Sequence, residues 1–163
     1  MVKFVVASIL LIASLASANP AGSTSDKDCT GEDYTCICRN LVTVKDKAGL
    51  IEFAQECTSR LGINCKVLPG TFWNLPDNAK NCALEKMEKA ENLIDDNGVA
   101  NVAQMTQYLR EVINAERSSD VTDTQVDAIV GDVQRCSSEG TGSEKALFLY
   151  TCLLDSCKAA LSQ

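Results

Sequence analysis

The sequence predicts an all-α protein: a single disulfide-linked bundle of about five to six helices. Three observations lead there. Apolar residues recur at helical spacing along most of the chain, and no stretch sustains the alternation of a strand. Nine cysteines are spread over 163 residues, a density that in an oxidising compartment means a disulfide framework.

Residues 1–18 read as a secretory signal peptide. Lys3 supplies the positive end, Phe4–Ile12 the apolar run, and Ala16-Ser17-Ala18 a small-residue cleavage site. The run is far shorter than the roughly 20 residues that span a bilayer. The expected product is secreted and begins near Asn19. Residues 19–45 then read as a cysteine-containing extension, loop-like to about Val44, ahead of a helical domain over 46–163.

The first helix of that domain carries Leu50, Ala54, Cys57 and Leu61 at i, i+4, i+7 and i+11, and Gly62 closes it. Lys66–Lys80 holds two prolines and the only tryptophan, so it reads as an irregular but packed connection. A second helix is expected over about Ala79–Ile94, with Asp95-Asp96-Asn97-Gly98 as its stop. A third carries Val102, Met105, Leu109 and Val112. The fourth opens at Thr122, where Gln125 completes a capping box, and runs through Val126, Ile129, Val130 and Val133 to Cys136. After a loop over Ser137–Ser143, the last helix, Glu144–Leu161, is apolar on nearly every side, which predicts deep burial.

Composition excludes several functions. The chain contains no histidine, so Ser-His-Asp and Cys-His catalysis, imidazole acid–base chemistry and His-ligated metals are all absent. Asp95-Asp96 reads as a turn rather than a pair of catalytic carboxylates. No C-x-x-C pair, Gly-rich phosphate loop or Asn-x-Ser/Thr sequon occurs, and no cofactor is expected. The net charge is −7, or −8 once Lys3 is removed with the signal peptide. That sign repels nucleic acid and anionic membranes. The expectation is a binding protein and not an enzyme. An odd cysteine count leaves one thiol free or pairing between chains, so a monomer and a disulfide-linked dimer both stay open. The sequence leaves the connectivity open as well.

Four segments, Glu56–Ile63 (ECTSRLGI), Cys82, Lys86–Gly98 (KMEKAENLIDDNG) and Ala128–Leu154, resemble the insect odorant-binding-protein superfamily, which includes salivary proteins of blood-feeding insects. Lys86 and Ser143 stand where that family places its third and fifth cysteines. The resemblance implies a Cys136–Cys152 bridge. It leaves Cys57 and Cys82 without their usual partners, to pair instead with Cys65, Cys157 or the N-terminal cluster.

The resemblance also implies a carrier or scavenger of small hydrophobic or amine ligands. Its cavity candidates are Leu50, Phe53, Ala54, Met87, Met105, Leu109, Val130, Phe148 and Tyr150, with Trp73 over an entrance. An apolar residue at helical spacing is more often core than cavity wall, but a buried Tyr150 phenol needs a hydrogen-bond partner that a ligand could supply. Two other readings accompany it. One is a salivary- or venom-type effector whose surface binds a host protein. The other is haem capture through Asp33, because Asp33-Tyr-Thr-Cys36-Ile-Cys38 resembles the core of the fungal CFEM domain.

Overall fold

A computed structural model describes Cys29 and residues 32–163; the signal-peptide segment lies outside these. Seven α-helices occur among the described residues: α1 Tyr34–Leu41, α2 Lys47–Arg60, α3 Asp77–Ala90, α4 Val102–Glu116, α5 Asp123–Gly131, α6 Val133–Glu139 and α7 Lys145–Leu161. Short 3-10 turns cover Pro69–Asn74 and Gly142–Glu144. The only β-type pairing among the described residues is an isolated bridge between Ile94 and Ala100.

The all-α class stands, but the helix number of five to six is too low for two reasons. One extra helix is α1, inside the segment expected to be loop-like. The Asp33 carboxylate caps it by accepting from the Cys36 N–H at 3.1 Å. Two bridges then fix it, Cys29–Cys36 locally and Cys38–Cys157 to α7. Its inner side, with the chain that follows, buries Cys38, Leu41, Val42 and Val44 at 2 % exposure or less. A helix of 8 residues is too short to stand alone, so its stability comes from this packing.

The other extra helix arises because the expected Thr122–Cys136 helix breaks at Asp132. The Asp132 carboxylate accepts from Ser156 Oγ of α7 at 2.6 Å and from Arg135 at 2.9 Å. Those bonds turn α6 onto α7. The Thr122 capping box is present: Thr122 Oγ1 accepts from the Gln125 N–H, and Gln125 Oε1 accepts from the Thr122 N–H. Thr122→Ala should lower stability by about 1 kcal/mol, read as a shifted urea midpoint.

Helix α3 ends four residues before the expected stop. Asn92, at φ +56°, takes the left-handed position, and the Leu93 N–H donates to the Glu88 carbonyl at 2.8 Å while that of Asn92 donates to Lys89 at 3.1 Å. This is a Schellman closure with asparagine in place of glycine. The 95–98 turn lies beyond it. Helix α2 closes the same way through Gly62, at φ +71°.

Helix α7 sits at the centre and packs against α1, α3, α5 and α6, while α2 packs chiefly on α3. Its buried residues run around most of its circumference, from Ala146 to Ala160. Buried Asn81 of α3 joins its start to the core, accepting from the Leu147 N–H at 3.0 Å and donating to the Ser143 carbonyl at 2.8 Å.

Four disulfides tie these layers. Cys136–Cys152, the pair the resemblance implies, joins α6 to α7. Cys57 and Cys82 do not seek partners elsewhere; they bond to each other and fasten α2 to α3. The facing helices bring them together directly, so the missing family cysteines leave no orphan there. Cys65 is the free thiol and is partly buried.

Candidate ligand-binding cleft

A cleft of about 870 Å³ opens between α1, the start of α2 and the 3-10 turn at Pro69–Asn74. Two of these three walls come from segments that the sequence assigned to loops. One wall carries Asp33, Arg39 and Asn40 of α1; the opposite one carries Lys47, Ala48, Leu50 and Ile51 of α2. Phe72 and Trp73 form the third. Their rings meet edge to face with centroids 5.2 Å apart, a favoured aromatic geometry. The Arg39 guanidinium lies 6.0 Å from the Trp73 ring. The deep end consists of buried side chains: Val42, Val44, Phe72, Leu84 and Tyr150. Such a site is apolar inside and polar at the rim, as small-molecule pockets are.

Three of the ten sequence candidates line this cleft: Leu50, Trp73 and Tyr150. The other seven lie elsewhere. Ala54, Met87, Met105, Leu109 and Val130 are buried in the core at 5 % exposure or less. Phe53 is partly buried beneath the Lys86 ammonium, 5.7 Å from its ring centroid. Phe148 is 37 % exposed and lies over Gly140. Their helical spacing put them on inward stripes, and those stripes meet one another rather than a void. Asp33 stands at the cleft rim with its carboxylate engaged as the α1 cap.

Helix α3, whose Leu84 lines the cleft, also carries a buried carboxylate that the sequence does not advertise. Glu88, one turn on from Leu84 in α3, is 3 % exposed, and its Oε1 is buried with no hydrogen-bond partner. Burial, with a smaller push from the Glu85 charge, raises its carboxyl to about 8, so the group is neutral at neutral pH. Tyr150 has no hydrogen bond to its hydroxyl among the described residues, and burial pushes its phenol well up, followed by the charges of Glu88, Tyr108 and Glu91.

Tyr108 of α4 is buried as well. Its hydroxyl accepts from the Lys45 N–H at 2.8 Å, and burial raises it to about 12. Tyr108 also lines a smaller polar pocket of about 490 Å³ with Glu91, Gln104 and Glu111. The Lys45 ammonium there is committed to Glu111 and to the Tyr108 ring face at 4.8 Å. Glu88 escapes sequence reading because KMEKAEN resembles a solvated charged run. Its one faint signal is its place four residues after Leu84, on an inward face.

No group of three or more Cys, Asp or Glu suited to a metal ion occurs among the described residues. No helix among them is long and apolar enough to cross a membrane. Comparison with protein-family models, with curated proteins and with solved structures gives no match in any of the three. Among the described residues the fold is all-α, tied by four disulfides, with a sizeable cleft that is apolar at its deep end.

Proposed function

We propose that this protein is a secreted carrier or scavenger that binds small hydrophobic or amine ligands in the cleft and performs no chemistry on them. The observation that supports it best is the cleft itself: about 870 Å³, with Val42, Phe72, Leu84 and Tyr150 at its deep end. That falls in the range of drug-sized ligand sites, roughly 300–1,000 Å³. The odorant-binding-protein resemblance points the same way. Four disulfides and a signal-like N-terminus are compatible with an extracellular setting.

The test is mass spectrometry of the unreduced protein, native and then denaturing. A native mass larger by one small molecule supports the reading, and its identity separates a lipid or amine from haem. Because Trp73 is the only tryptophan and lines the cleft, its emission should shift when an apolar ligand is added. Ala48→Phe places a ring in the cleft from an exposed position of α2. It should weaken binding at least tenfold while leaving the melting temperature within a few degrees. No added mass and a silent Trp73 would favour an effector that binds a host protein through its surface.

A further inference from the structure

We infer that the Tyr150 hydroxyl anchors ligands at the deep end of the cleft, and that the head group it selects is a neutral oxygen, a ketone above all, on an apolar body. This rests on the carrier reading above and narrows it to one of its two kinds of ligand. Tyr150 lies near the middle of α7, the central helix, and is 6 % exposed. Its side chain lines the cleft, yet its hydroxyl makes no hydrogen bond to any described residue. Tyr108, also buried, shows the usual arrangement, its hydroxyl accepting from the Lys45 N–H at 2.8 Å. Nor is the Tyr150 oxygen sealed away. Among the described residues, Glu88 Oε1 is the only unpartnered side-chain oxygen or nitrogen fully shut off from solvent. The Tyr150 oxygen therefore keeps accessible surface, and the space its residue lines is the cleft.

The chemistry of the head group follows from what surrounds that oxygen. The deep end is closed by the side chains of Val42, Val44, Phe72 and Leu84, none of which donates or accepts a hydrogen bond. The charged residues that line the cleft are Asp33, Arg39, Lys47 and Glu52. Three of these are exposed; the fourth, Lys47, is partly buried and paired with Glu116 at 3.1 Å. Glu88 does not line the cleft. A charged head at the deep end would lose its water with no counter-ion beside it, which costs far more than desolvating a neutral oxygen. A carbonyl loses less, and it regains a hydrogen bond because the phenol O–H donates to it. Burial pushes the Tyr150 phenol well up, so it keeps that proton throughout the physiological range. At about 870 Å³ the cleft leaves room for the apolar body along Leu50, Ile51 and Trp73.

Three probes on one carbon frame test this at neutral pH: 4-phenylbutan-2-one, 4-phenylbutan-2-amine, and isopentylbenzene, which carries a methyl group where the ketone has its oxygen. Affinities are read from Trp73 emission and by calorimetry. Tyr150→Phe keeps the ring and removes only the hydroxyl, so its melting temperature should stay within a few degrees of the wild type. In this variant the ketone should bind about tenfold more weakly, the worth of one buried hydrogen bond, whereas isopentylbenzene should bind as it does to the wild type. The carbonyl stretch of the bound ketone should lie at lower frequency in the wild type than in the variant. The amine should bind the wild type at least tenfold more weakly than the ketone does. A Tyr150→Phe effect that is equal for ketone and hydrocarbon, or absent for both, would overturn the anchor and leave the carrier reading intact. An amine that binds as tightly as the ketone would do the same. Failure of all three probes to bind would overturn both.

Discussion

Glu88→Gln should make the unliganded protein more stable at pH 8–9 and remove most of the pH dependence between pH 5 and 8. The sign follows from the raised carboxyl, about 8 in the folded protein against an ordinary 4.5. Folding favours the neutral form, so the benefit is fully present below the unfolded value. It is lost progressively as pH rises to about 8, because the unfolded chain ionises freely while the buried group resists. At about 1.4 kcal/mol per pH unit, the window amounts to about 3–5 kcal/mol. Urea midpoints at pH 5, 7 and 9 measure it. The wild type should fall steadily across the series, and the variant should stay nearly level. Glu88→Met, which leaves no amide to satisfy, should behave alike. A wild-type profile as flat as the variant's would mean that water or a rearranged neighbour already supports the charge.

Replacing both Cys38 and Cys157 by alanine should be the most damaging disulfide deletion. The bridge spans 119 residues, and loop-closure entropy assigns such a link about 4–5 kcal/mol, against about 3 kcal/mol for one of the Cys136–Cys152 size. Both cysteines are fully buried, so some lost packing adds to that. The local consequence is sharper still. Helix α1 has 8 residues and one long-range covalent tie, so it should detach before the rest unfolds. Hydrogen exchange should show the amides of residues 34–41 losing protection while those of α3 and α7 keep theirs. Because α1 forms one wall of the cleft, ligand binding should disappear together with that protection. Equal loss of protection in α1 and α7 would mean that the bridge supports the whole bundle evenly.

Where local signals and tertiary forces agreed, the fold was legible in the sequence. Leu50, Ala54 and Cys57 all face inward on α2, and Gly62 ends that helix in a left-handed conformation. The Thr122–Gln125 box and the deep burial of most of α7 were equally plain, although Phe148, Thr151, Asp155 and Ala159 leave that helix one exposed stripe. What stayed hidden depended on distant partners. Helix α1 takes its stability from Cys157, far along the chain. The kink at Asp132 is drawn by Ser156 of α7. Asn92 ends α3 in a role usually filled by glycine, while the louder Asn97-Gly98 signal lay six residues on. The cleft followed suit. Leu50, Trp73 and Tyr150 were found because aromatic and apolar residues stand out, whereas its α1 wall and Glu88 could be located only once the helices were assembled.

The pairing of the cysteines also sets a timetable. Cys29–Cys36, Cys57–Cys82 and Cys136–Cys152 each join residues 7 to 25 positions apart, so each can close soon after its second member is made. Cys38 has to wait for Cys157, the last of the nine to be synthesised. Throughout that interval its thiol shares the growing chain with Cys65, which belongs to none of the four disulfides of the folded chain. A Cys38–Cys65 crosslink is therefore the mispairing this chain is most exposed to, and it would trap the product with α1 turned away from α7. Cys65→Ser should raise the yield of correctly oxidised protein without altering its melting temperature.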